Sequence, residues 1–159
     1  KSERAEAHFQ ITEATLPEYR SIALRQPIKT SLPRKQKAVE AAIQAFNRAA
    51  GYGFADVTTA ASYELGVLHQ DFARSLVDSE RPKKLSDLEL EQYNLLLEEQ
   101  AFPFEEKAIE AHENNLRRIP QGIYDEWVAK SAKARQIKAF DPTLVTKQED
   151  DDALPEFWD

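Results

Sequence analysis

Three histidines are the chain's candidates for metal binding or proton transfer: His8, His69 with Asp71, and His112 with Glu113. A hydrolase or metal centre needs several such groups to converge, yet none of the three stands in His-Glu-x-x-His or any other ligand-spaced motif. His112 falls on the inward side of a helical pattern and reads as a packed, hydrogen-bonded core histidine, whereas His69 reads as a surface residue. The run Glu149-Asp150-Asp151-Asp152 offers oxygen ligands for a divalent cation. It lacks the loop glycine and spacing of a calcium hand and reads as a solvated acidic run. Phosphate-cradling glycine loops and the Gly-x-Ser-x-Gly elbow are missing. Cysteine is absent, which removes disulfides, thiolate zinc sites, iron–sulfur clusters and a thiol nucleophile. The pattern is that of a non-catalytic chain with no metal and no cofactor. The alternative is a metal-dependent hydrolase on a helical scaffold, with His69, Asp71 and the aspartate run as its parts.

The 159 residues include 28 Asp plus Glu against 21 Lys plus Arg, a net charge of −7. With a pI near 5.1, the chain is not expected to bind nucleic acid, which needs clustered cations. The charge is unevenly placed. Residues 1–138 hold 20 cations and 21 acids, whereas residues 139–159 hold one cation and seven acids. No apolar run reaches the roughly 18 residues of a membrane span, so no direct membrane insertion is expected. The opening Lys1-Ser2-Glu3-Arg4, the absence of Met and the lack of a signal-peptide hydrophobic region read as a piece of a longer protein.

With four glycines, no sustained period-2 alternation and apolar residues at three- and four-residue spacing, the fold class expected is all-α. The first helix runs from about Glu3 to Ala23, kinked or restarted at Pro17. Ser31 caps a second helix with Pro33 in its first turn and Val39, Ala42, Ile43 and Phe46 inside; Gly51 and Gly53 end it. The third, from about Ala55 to Asp78, has the most regular stripe: Val57, Ala61, Leu65, Leu68, Phe72 and Leu76. Ser86 and Glu89 form a capping box that starts a fourth helix near Asp87, which carries Tyr93, Leu96 and Leu97 to about Gln100. Pro103 begins a fifth with Phe104, Ala108, His112 and Leu116 inward. After a turn at Pro120-Gln121-Gly122, a sixth from Ile123 to about Lys138 offers Tyr124, Trp127 and Val128.

Residues 93 to 131 carry repeat-like spacing: Tyr93-x2-Leu96-Leu97, then Ala108-x3-His112-x2-Asn115-x4-Pro120, with Trp127 and Ser131 opening a further unit. This resembles the tetratricopeptide repeat, with Leu97, His112 and Asn115 departing from its usual residue types. The runs Thr59-Ala60-Ala61-Ser62-Tyr63-Glu64-Leu65-Gly66, Asp78-Ser79-Glu80-Arg81-Pro82, Leu97 to Ile109 and Gly122 to Val128 look like tetratricopeptide-like proteins of Gram-negative cell envelopes, often associated with gliding-motility or TonB-type systems. The resemblance spans about residues 31 to 135. It implies stacked antiparallel helical hairpins of about six helices over 1–138, followed by an extended acidic tail, 139–159. It also implies a periplasmic or envelope-associated scaffold or adaptor that binds other proteins or peptides.

In such an array the concave groove is lined by the first helix of each pair, here Tyr93, Asn94, Glu98, Trp127, Lys130 and Ser131. The aromatics among them also fit inter-helix core, which makes Asn94 and Lys130 the better contact candidates. Arg25, Lys29, Arg34, Lys35 and Lys37 form a basic stretch without an acid, and residues 86 to 113 hold nine acids and one lysine. Either is a solvated face or a steering surface. The tail composition alone reads as disordered, yet Leu154, Phe157 and Trp158 among acids are what a docking peptide supplies. We expect them to enter a helical groove of the same or a neighbouring molecule, the latter giving self-association. A self-assembling structural subunit is a further alternative.

Overall fold

A computed structural model describes the backbone of residues 2–139 and the side chains of residues 3–135. The tail residues Leu154, Phe157 and Trp158 and the acidic run at 149–152 lie outside them. The described chain is all helical and contains no strand: α1 Ser2–Glu13, α2 Leu16–Ser21, α3 Ile28–Ala50, α4 Ala55–Val77, α5 Asp87–Leu116 and α6 Glu126–Ala139. No described helix is long and apolar enough to cross a membrane.

The α1 to α2 break bears out the reading of Pro17. The helix stops at Glu13 and restarts so that Pro17 falls in the first turn of α2, where a missing N–H is harmless. Ser31, by contrast, is not a cap. Helix α3 begins three residues earlier, and the Ser31 hydroxyl instead donates to the Arg25 carbonyl (2.6 Å) and accepts from the Arg25 N–H (3.1 Å), tying down the connector.

The stripe of α4 is buried at all six expected positions. Its antiparallel partner is α5, as paired contacts show: Thr59 with Asn115, Gly66 with His112, and Phe72 with Phe104 at 4.7 Å between ring centroids. Gly66 is where the His112 ring of α5 lies against the α4 backbone. A Cβ built there would lie 2.4 Å from His112 Nε2, so only glycine admits the ring.

The expected six-helix count is corrected at Pro103. The fourth and fifth helices are one 30-residue helix, α5, that passes through the proline. With α1 and α2 taken as one kinked helix, the described chain has five helical units. The inter-helix turn that the repeat resemblance places between Gln100 and Pro103 is absent. An interior proline costs about 3 kcal/mol, but Pro103 points to solvent while Leu97, Ala101, Phe104, Ala108, Ala111 and Asn115 form an unbroken inward stripe across it. Burying that stripe against α4 outweighs the lost hydrogen bond.

The capping box is present as expected: the Glu89 N–H donates to Ser86 Oγ (3.1 Å) and the Ser86 N–H to Glu89 Oε1 (2.9 Å). A 3-10 turn, Ile119–Gln121, ends at Gly122 in the left-handed region, φ 87°. Helix α6 starts later than Ile123 because Asp125 Oδ1 accepts from the N–H groups of Trp127 and Val128, each at 3.0 Å. Tyr124, expected on the helix, thus precedes it and is 64% exposed.

Candidate functional site

The residues named from the sequence fall into separate places. Tyr93 and Asn94 are half-buried where α5 meets the loops: Asn94 Oδ1 accepts from Arg81 Nε (2.7 Å), and Tyr93 Oη accepts from Gln26 Nε2 (3.4 Å). Glu98 is exposed further along α5. Trp127 and Lys130 sit on α6, with Lys130 Nζ 4.4 Å from the Trp127 ring centroid, beside Tyr63 of α4. Ser131 is fully buried and does not face a groove.

Ser131 belongs instead to a polar network that pins three helices. Asn115 Nδ2 donates to the Thr59 carbonyl (2.9 Å) and to Ser131 Oγ (3.0 Å), His112 Nδ1 lies 3.0 Å from the same hydroxyl, and the Thr59 hydroxyl donates to Asp125 Oδ2. His112 is buried, as expected of a core histidine. The network was not legible in the sequence, because its members lie up to 72 residues apart, from Thr59 to Ser131.

The hydrolase alternative rests on His69 and Asp71 acting together, and they face different neighbours. His69 is buried rather than a surface residue: Nδ1–H donates to the Leu65 carbonyl (2.8 Å), and the ring packs on Phe104 of α5. Burial holds its pKa below the usual imidazole value, opposed in part by that hydrogen bond. Asp71, two residues on, turns toward α2 and accepts from Tyr19 Oη (2.9 Å). Among the described residues no three His, Asp or Glu side chains converge to hold a metal.

The basic stretch divides in the same way. Lys35 is buried; its ammonium donates to the carbonyls of Tyr19 (3.2 Å) and Ile22 (2.7 Å) and lies 4.1 Å from the Tyr19 ring centroid, so it caps the C-terminal end of α2. Burial lowers its pKa, with Asp71 opposing. Arg25 and Lys29 are exposed near the start of α3. Arg34 and Lys37 instead edge a groove of about 680 Å³ between α1–α2 and α3. Arg48 joins them. Sequence reasoning missed it, although Arg34, Lys37, Ala38, Ala41, Ala45 and Arg48 lie on one face at helical spacing.

A second surface lies on α5. Residue pairs along the α4–α5 contact place the last turn of α4 level with Glu98 to Phe102, so the first ten or so residues of α5 run about 15 Å past it. Leu88 and Leu95 on this overhang, and Phe102 beside the last turn of α4, follow one another at seven-residue intervals and are 63, 53 and 55% exposed. Leu96 is exposed as well. Val77, Glu98, Phe102 and Glu105 border a hollow of about 530 Å³ beside this stripe.

A carboxyl pair at the junction of α1 and α4 adds a titrating element. Glu64 is pushed up to about 7, first by burial and then by the Glu13 carboxyl beside it, with Arg20 and Lys130 opposing. The folded chain therefore keeps a proton on Glu64 that the unfolded chain releases near the ordinary value of 4.5. The stabilisation this gives is full below pH 4.5 and is lost as pH rises through 7. Glu64→Gln should accordingly raise the melting temperature at pH 8 while leaving it unchanged at pH 4. Parallel melting-temperature profiles for the two proteins between pH 4 and 8 would refute the assignment.

The described fold defines an all-helical array with two solvent-facing apolar surfaces, one with a basic edge and one in an acidic setting. Comparison with protein-family models, curated proteins and solved structures finds no match.

Proposed function

We propose that this chain is a non-catalytic protein–protein interaction module, a scaffold or adaptor, and that it serves a bacterial cell-envelope assembly. The observation that carries the binding role is the exposed stripe Leu88, Leu95 and Phe102 along α5, which begins on its overhang and ends beside the last turn of α4. Large apolar side chains repeated along one helix face and left in water favour association, because covering each removes apolar area from solvent at roughly 25 cal/mol per Å². The envelope setting rests on the resemblance of residues 31 to 135 alone.

The stripe also states what kind of partner fits. Glu91, Glu98, Glu99, Glu105 and Glu106 flank it, so the complementary surface is an apolar ridge edged with Lys or Arg. Heptad spacing would suit a second copy as well, but two copies would set these carboxylates against each other. The partner chemistry is thus another protein rather than self-assembly.

A panel of Arg- and Lys-flanked amphipathic helical peptides, titrated against the chain, tests this. Leu95→Glu with Phe102→Glu, both on exposed positions, should weaken binding at least about 30-fold, as two desolvated anchors are lost. Binding unaffected by these changes, but lost with Tyr93, Asn94 and Lys130 altered, would move the site to the junction of α4, α5 and α6. A dimer in sedimentation velocity that Leu95→Glu dissolves would favour self-assembly.

A further inference from the structure

The groove between α1–α2 and α3 has the shape and charge of a receptor with no occupant among the described residues. Its floor is made of small side chains, Ala38, Ala41, Ala42 and Ala45, which leave depth for large ones. Ile11 stands at its edge 69% exposed. Arg34, Lys37 and Arg48 line it against one acid, Glu18. An occupant must therefore bring bulky apolar side chains together with negative charge.

We infer that this groove binds the C-terminal segment of the same molecule, with Leu154, Phe157 and Trp158 on the alanine floor and the surrounding carboxylates against Arg34, Lys37 and Arg48. This goes beyond the α5 surface and does not depend on it. Ala153-Leu154-Pro155-Glu156-Phe157-Trp158-Asp159 joins two large aromatics and a leucine to acids of its own and to the preceding run Glu149 to Asp152. Each aromatic buries about 150 to 250 Å² on docking, and the acids steer approach to the basic edge. Reach is ample. Trp158 lies nineteen residues beyond Ala139, a span of up to about 65 Å, whereas a domain of this size has a radius of gyration near 14 Å. The tether holds the segment at an effective concentration of about a millimolar, which favours its own groove over that of a second molecule.

The test uses the full chain with a photo-crosslinker in place of Trp158, Trp158→p-benzoylphenylalanine, irradiated at low micromolar concentration. Crosslinks within the monomer to peptides from residues 8–22 or 34–48 are expected. Reversing two exposed cations, Lys37→Glu with Arg48→Glu, should cut their yield at least about fivefold by removing the steering charge. Ile11→Asp should reduce it through the apolar side. Crosslinks confined to other helices, covalent dimers in place of monomers, no crosslink at all, or a yield indifferent to both sets of changes would overturn the assignment.

Discussion

Gly66→Ala should lower the melting temperature by about 10 °C, or about 3 kcal/mol for a domain of this size. The added methyl would sit 2.4 Å from His112 Nε2 and 2.5 Å from its Cε1. The imidazole has no inexpensive way to retreat: Ser131 Oγ lies 3.0 Å from Nδ1, and the Tyr63 ring packs 5.6 Å away. Either α4 and α5 separate, loosening the stripe from Phe72 to Thr59, or the His112–Ser131 contact breaks. A second substitution identifies the cause. His112→Ala makes room for the methyl, so the double variant should lose clearly less than the sum of the two single losses. A Gly66→Ala protein that melts within about 2 °C of the parent would show that the helices approach less closely than described.

The second large effect is expected at Asn115, fully buried where α4, α5 and α6 meet. Asn115→Leu keeps the volume but removes the amide that serves the Thr59 carbonyl and the Ser131 hydroxyl. Leaving two buried acceptors short of a donor costs about 3 kcal/mol. The loss should appear as a lower denaturant midpoint with an unchanged slope. Ser131→Ala acts on the same network, so combining the two changes should cost less than their sum. Strict additivity would mean that Asn115 and Ser131 do not share a hydrogen bond in solution. Because the network carries α6, both variants should also loosen the Trp127–Lys130 corner.

Much of the helical layout was legible because it is local. The spacing from Val57 to Leu76 specified α4 and its buried face, Ser86 and Glu89 placed the start of α5, and Gly122 marked a turn that needs a positive φ. Local rules also misled. Pro103 read as a helix start, since proline favours first turns, while the stripe Leu97, Ala101, Phe104, Ala108 continued through it. Ser31 read as a cap because its residue type favours caps, yet its hydroxyl is spent on Arg25. Asp125, the residue that does cap α6, stood unmarked beside an equally plausible start at Ile123.

The candidate sites were less legible than the helices, since they depend on which faces are left uncovered. Leu88, Leu95 and Phe102 are ordinary helix residues by type; Leu88 and Leu95 stand in water because α5 outruns α4, and Phe102 lies at the edge of the α4 contact. Lys35 looks like its basic neighbours and is instead buried as the cap of α2. Glu13 lies 51 positions from Glu64 and raises its pKa only once α1 lies along α4. Periodicity, caps and charge segregation act over a few residues, and so the sequence by itself determined an all-helical chain with a near-neutral body and an acidic end. The continuity of α5, the polar pin of Asn115 and the basic-edged groove arise from contacts between distant segments, and only the tertiary structure decided them, because burial of one face against another is free energy that no local window contains.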